Sequence, residues 1–347
     1  MQQLTSIKTW LLGALAVSCA LSASETVAQD KVVNLYSARH YSTDEALYSN
    51  FTKTTGIKIN RIDGGEDALL TRIKAEGANS PADVFLTVDA GRLWVADQEG
   101  VFAPIQSNVL NERIPSAYRL ASNTWFGFST RARPILVDKL KIKAGEITTY
   151  EDLADPKWKG QICTRSGSHV YMLSLLSSII ENDGAAKAEE WAKGVNANLA
   201  RQPKGGDTDQ IKAVAAGECS IALANTYYIA RMIKSDKADE RAAMERLRVV
   251  WPNTNGRGVH MNVSGGGVLK NAPNKDNAIK FMEYLASDTA QAYFANGNNE
   301  WPVVASAKVK NDALDSLGPF KPDPLNMIAL GKNQRLAQEI VNRVGYK

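Results

Sequence analysis

Short apolar strands alternate with amphipathic helical stretches from one end of the chain to the other, and this alternation restricts the fold more than any other feature. Val32–Tyr36 reads as a strand and Thr43–Thr54 as a helix; Lys58–Ile62 is a second strand, followed by a helix over Glu66–Glu76; Ala82–Leu86 is a third, followed by a helix near Arg92–Gln98. A β-α-β-α order places helices on both faces of largely parallel sheets. Further strands are expected at Trp125–Thr130 and Val249–Trp251, either of which suits a crossing between lobes, and at Gly160–Cys163 and Cys219–Leu223 in a second α/β unit. Helices are expected over Asp276–Ala295 and Asn326–Asn342. No internal repeat or low-complexity tract interrupts the pattern.

The length of 347 residues exceeds what one small core organises and suits two domains. With 44% hydrophobic and 22% charged residues, the composition excludes a disordered chain, a collagen-like chain and a small disulfide scaffold. The 41 basic and 37 acidic residues nearly cancel, leaving +4 and no basic run that would mark a nucleic-acid partner.

The first residues read as an address. Lys8 precedes an apolar stretch from Trp10 to Leu21, which ends in small and polar residues at Thr26-Val27-Ala28. That is the layout of an export signal cleaved after Ala28, and the stretch is shorter than the ~20 apolar residues a bilayer span takes. Residues 1–28 are therefore assigned to a signal peptide and the mature chain to the periplasm. Export leaves Cys163 and Cys219, a pair suited to a disulfide in an oxidising compartment. Closing a loop of about 57 residues would stabilise the fold by roughly 4 kcal/mol on the chain-entropy model. The alternative is two buried free thiols.

Motifs of catalysis are missing: the chain holds no G-x-S-x-G, H-E-x-x-H, P-loop, G-x-G-x-x-G or C-x-x-C. With three His in all, a His/Cys zinc site is not expected. The tyrosines are the informative residues. Tyr41 follows His40 in Arg39-His40-Tyr41-Ser42-Thr43-Asp44-Glu45, where Ser42 and Glu45 match a capping box. Tyr171 ends Ser166-Gly167-Ser168-His169-Val170-Tyr171, with Ser168 as the expected N-cap, and Tyr227 and Tyr228 open a helix that runs on to Lys234. All four lie at strand-to-helix junctions, where open α/β sheets bind ligands. A phenol titrates near 10, so phenolates at neutral pH need a strong partner, and a hard trivalent cation deprotonates its ligands outright. Ferric iron is the natural candidate, with His40 available as a neutral fifth ligand. Four phenolates on Fe³⁺ leave a charge of −1, which Arg231 (four residues beyond Tyr227), Arg39 or Arg131 could offset.

These segments carry a resemblance. Leu35-Tyr36-Ser37-Ala38-Arg39-His40-Tyr41, Ser166–Tyr171 and Asn225-Thr226-Tyr227-Tyr228, framed by Asp155–Gly160 and Asn299–Val303, resemble the periplasmic ferric-binding proteins of ABC iron importers, most closely the FutA-type branch. The resemblance covers essentially the whole mature chain. It implies a type II bilobal solute-binding fold, two α/β lobes joined by crossing hinge strands, with the N-lobe at 29–126 plus about 256–305 and the C-lobe at about 127–255 plus 306–347. It implies Fe³⁺ as cargo, held by His40, Tyr41, Tyr171, Tyr227 and Tyr228 without external carbonate, with Arg39, Arg131 and Arg231 around them. It further implies delivery by a monomer to an inner-membrane ABC permease, closure of the lobes around the metal, and reduction as a release route. His169 falls outside the ligand set. Three other readings compete: a binding protein for a polyamine, thiamine or phosphonate with the tyrosines as walls; an iron-binding protein that protects photosynthetic membranes; and an exported enzyme with a Tyr/His acid–base pair.

Overall fold

Ten strands form two sheets in a computed structural model that describes residues 31–347. The export signal proposed for residues 1–28 lies outside the described residues. The strands are β1 (Val32–Ser37), β2 (Lys58–Asp63), β3 (Val84–Thr87), β4 (Phe126–Ala132), β5 (Ile135–Asp138), β6 (Ile162–Cys163), β7 (Ile221–Leu223), β8 (Leu247–Val250), β9 (Met261–Val268) and β10 (Trp301–Pro302). The first sheet has the order β10-β4-β9-β3-β1-β2 and the second β6-β7-β5-β8. Helices pack on both, so the mixed α/β class read from the alternation is the fold observed.

Within the first sheet β1 pairs in parallel with β2 and β3, and β9 runs antiparallel between β3 and β4. Val33, Leu35, Val84, Leu86, Phe126 and Phe128 bury one face against helices that carry Phe51, Phe281 and Leu285. β4 stays paired with β9 through Ala132, and β5 begins three residues later in the second sheet. The backbone thus passes from the first sheet to the second at Arg133–Pro134, since the bonds of β4 belong to the first sheet as far as Ala132. The return crossing lies between Val250 and Met261.

Several elements depart from the sequence reading. β5 and β9 were not anticipated. The stretch expected as one helix over Asp276–Ala295 is two, Lys275–Leu285 and Asp288–Asn298, because the Ser287 hydroxyl accepts from Ala290 N and caps a new start. Likewise Asn326–Asn342 divides into Ile328–Lys332 and Gln334–Val344. Cys163 and Cys219 are joined, with Cα atoms 5.9 Å apart, which ties β6 to the residue that leads into β7. No described helix is long and apolar enough to cross a membrane.

Candidate metal centre

The four tyrosines and His40 come from three separate segments and meet. His40 and Tyr41 lie in the loop between β1 and the Asp44–Thr55 helix. Tyr171 is the second residue of the Val170–Asp183 helix, and Tyr227 and Tyr228 stand in the first turn of Thr226–Ile233, just after β7. The His40 ring stacks on Tyr41 at 4.6 Å, Tyr41 meets Tyr227 edge-on at 5.5 Å, and Tyr227 lies 4.3 Å from Tyr228, centroid to centroid. The Tyr227 hydroxyl donates to the Tyr171 hydroxyl at 3.0 Å. Tyr41 Oη is buried and finds no hydrogen-bond partner among the described residues. Val88, just after β3, packs with Val170 and Tyr171, and Tyr41 and Tyr228 pack against that cluster.

Local chemistry explains how each arm is held. His169, not Ser168, caps the helix of Tyr171: its Nδ1 accepts from Tyr171 N at 3.2 Å. Ser42 and Glu45 form no capping box; Thr43 occupies the N-cap without a side-chain capping bond, Glu45 pairs with Arg61, and Asp44 is buried against Arg39 at 2.6 Å. An ion pair available to each carboxylate outcompetes the local cap. The Tyr227–Tyr228 turn is fixed by Asn225, whose N–H donates to Asp207 (2.8 Å) and whose side-chain oxygen accepts from Arg133 (2.8 Å).

Guanidinium groups surround the rings. Arg39 lies over Tyr41 (4.8 Å), Arg165, Arg131 and Arg133 over Tyr171 (4.8, 5.8 and 5.9 Å), and Arg231 over Tyr228 (5.1 Å). Arg231 therefore faces Tyr228, three residues back, and not Tyr227, four back; it is exposed and bonded to Thr208. Arg133, Arg165, Asp207 and Glu300 were not anticipated. Glu300 sits within a segment read as framework, and its buried carboxylate accepts from Ser129 and Ser264 beside Arg131. Nothing local in the sequence marks Asp207.

Burial pushes the Tyr41, Tyr171 and Tyr227 phenols well above 10; Glu300 adds to this at Tyr41, Tyr228 at Tyr171, and Tyr171 at Tyr227, while Arg131 opposes it at all three. Desolvation, then the charges of Arg39 and Arg131, lower His40 to about 4. At neutral pH the Tyr41, Tyr171 and Tyr227 phenols are thus protonated and the His40 imidazole is neutral, and with Tyr228 they make a set of oxygen and nitrogen donors that a hard trivalent cation can deprotonate and bind. A cleft of about 450 Å³ opens on His40 and Tyr41. A larger one, about 650 Å³, lies away from the tyrosines between Ile147–Thr149 and Arg248–Gly256 and gathers no comparable chemistry.

Two α/β units, two crossings and a donor cluster drawn from both units define a type II bilobal periplasmic binding protein. The chain belongs to the bacterial extracellular solute-binding protein family, whose model matches residues 79–321. It is 48% identical to "Iron uptake protein A1" of Synechocystis sp. over 93% of this chain and 90% of that protein. Among solved structures, it is similar to a Trichodesmium IdiA/FutA protein in complex with iron and citrate (54% identity, TM-score 0.86, covering 91% of this chain and 100% of that one). It is also similar to the ferric binding protein of Campylobacter jejuni (38% identity, TM-score 0.88, 91% and 100%).

Proposed function

We propose that the chain captures ferric iron at this cluster, with His40, Tyr41, Tyr171, Tyr227 and Tyr228 as ligands, and hands it to an ABC-type permease of the inner membrane. The observation that carries this reading is the convergence of four phenols from both sheets on one point, with the Tyr171 and Tyr227 hydroxyls 3.0 Å apart and Tyr41 Oη buried without a partner. Phenolates on Fe³⁺ would leave −1, and the arginines packed on the rings supply the compensating charge. The same arginines argue against a cage for an organic cation, because they occupy the aromatic faces on which such a ligand would sit.

His40 and Tyr41 come from the first sheet's side and the other three ligands from the second's. We therefore assign one lobe to the mature N-terminus through Ala132 plus about 260–305, and the other to Arg133 through about 259 plus 306–347, with closure completing the ligand set. The protein acts as a binding monomer and not as an enzyme, in the periplasm after cleavage following Ala28. The names of the Synechocystis and Campylobacter relatives support iron as cargo. The test is a titration of the purified mature protein with ferric citrate, followed in the visible. A charge-transfer band that saturates at one iron per protein and changes in Tyr171→Phe and Tyr228→Phe is expected; no band at any ratio would refute the reading.

A further inference from the structure

The turn Ala295–Asn299, which closes the Asp288–Asn298 helix, touches the elements that carry four of the five proposed ligands. Asn298 is buried; its Nδ2 donates to Asp44 Oδ1 at 2.9 Å, and its Oδ1 accepts from the Thr43 hydroxyl. Asp44 in turn holds Arg39 through Nε (2.6 Å) and Nη2 (3.1 Å). The Arg39 guanidinium is sandwiched between the Tyr41 ring (4.8 Å) and the ring of Phe294 (5.1 Å), one turn before Asn298 on the same helix. The turn lies close against the loop, since a Cβ on Gly297 would stand 3.1 Å from Thr43 Cβ. On its other side Asn296 O accepts from Lys234 Nζ at 3.0 Å, at the end of the helix that Tyr227 and Tyr228 open.

Residues 38–43 form neither helix nor strand, so ladder hydrogen bonds do not set the reach of His40 and Tyr41. Local backbone bonds join Asp44 N to Tyr41 O and Ala46 N to Thr43 O, and the side-chain series Tyr41, Arg39, Asp44, Asn298, buried from Arg39 onward, ties the loop to the Asp288–Asn298 helix. An amide meets both demands at position 298, because it donates to a carboxylate through its NH2 and accepts from a hydroxyl through its oxygen.

We propose that Asn298 is a positioning residue for iron capture: by fixing Asp44 and Thr43 it aims Tyr41 and His40 at Tyr227 across the site. The inference rests on the reading of Tyr41 as a ligand. Its test is a double-mutant cycle on the mature protein, with the ferric charge-transfer band and the rate of iron loss to excess EDTA as readouts. Asn298→Ala is expected to keep one iron per protein, to shift the band in the same sense as Tyr41→Phe, and to release iron about tenfold faster, on the scale of a lost hydrogen bond to a charged group. In the Tyr41→Phe background Asn298→Ala should change both readouts less than it does in the wild type, the remainder being its effect on His40. Release at the wild-type rate in Asn298→Ala, or effects that multiply in the double variant, would overturn the proposal. Thr43→Val removes only the hydroxyl that Asn298 accepts from and carries the same test if Asn298→Ala does not fold. A wild-type protein without any band would instead refute iron binding itself, and this inference with it.

Discussion

Asp207 is the carboxylate on which the second half of the site depends, and replacing it with Asn measures how much. The residue opens the Asp207–Ala215 helix, is fully buried, and accepts from Arg133 Nη1 (2.8 Å), Arg133 Nη2 (3.3 Å), Arg165 Nη1 (3.2 Å) and Asn225 N (2.8 Å). Asn keeps the shape but leaves two guanidinium groups facing a neutral amide. Removing one partner of a buried ion pair costs about 3–5 kcal/mol, a large part of the ~5–15 kcal/mol that holds a typical domain together. Arg165 retains some exposure, so water recovers part of its loss, and we expect about 3–4 kcal/mol. With a denaturant slope near ~3 kcal/mol/M, the urea midpoint of the iron-free protein at pH 7 should fall by roughly 1 M. The pH dependence has a definite sign. Arg133 and Arg165 outweigh burial and hold the Asp207 carboxyl below its ordinary value, so its contribution is complete above the unfolded value near ~3.9 and fades only as pH falls through the lowered one. The gap between wild type and Asp207→Asn should therefore stay constant from pH 8 to 5 and close in stronger acid. Arg165→Met provides the contrast, because it leaves Asp207 neutralised by Arg133 and should cost about 1 kcal/mol. A midpoint shift below roughly 0.3 M for Asp207→Asn, or a gap that already closes between pH 8 and 5, would refute the account.

Two further outcomes follow from the same structure. Cys163→Ser releases a constraint spanning 56 positions and is expected to lower stability by roughly 4 kcal/mol on the chain-entropy model; thermal melts with and without reductant should show the wild type converging on the variant. Arg131→Met removes one of the two buried cations, with Arg39, that act on the buried Glu300 carboxylate and should cost about 1–3 kcal/mol by urea denaturation, while adding Glu300→Gln to that variant should restore part of it; additive costs would mean that Glu300 is not a counter-charge of Arg131.

How much of the molecule was legible in its sequence depended on how local each signal was. β1, β2 and the Glu66–Glu76 helix lie where the period places them: β1 buries Val33 and Leu35, the helix buries Leu69 and Ile73, and β2 half-buries Ile59 and Arg61. β9 escaped notice because Ser264-Gly265-Gly266-Gly267 reads as a loop, glycine being a poor strand former. Its glycines answer to neighbours far along the chain: a Cβ at Gly266 would stand 2.5 Å from Phe85 O, and one at Gly267 2.4 Å from Thr124 O. The same division runs through the site. His40-Tyr41 and Tyr227-Tyr228 are visible as adjacent pairs at strand–helix junctions, and Tyr171 as a partner in kind. The groups that hold them are not adjacent to them: Asn298 is 254 residues from Asp44, and Asp207 is 74 from Arg133. Donor atoms can be read one segment at a time because metal chemistry dictates their type, whereas an acceptor for a buried arginine can come from any segment the fold brings near. The capping box expected at Ser42 and Glu45 failed for the same reason, since Arg61 offered the Glu45 carboxylate, as Arg39 did the neighbouring Asp44, something stronger than a helix N-terminus.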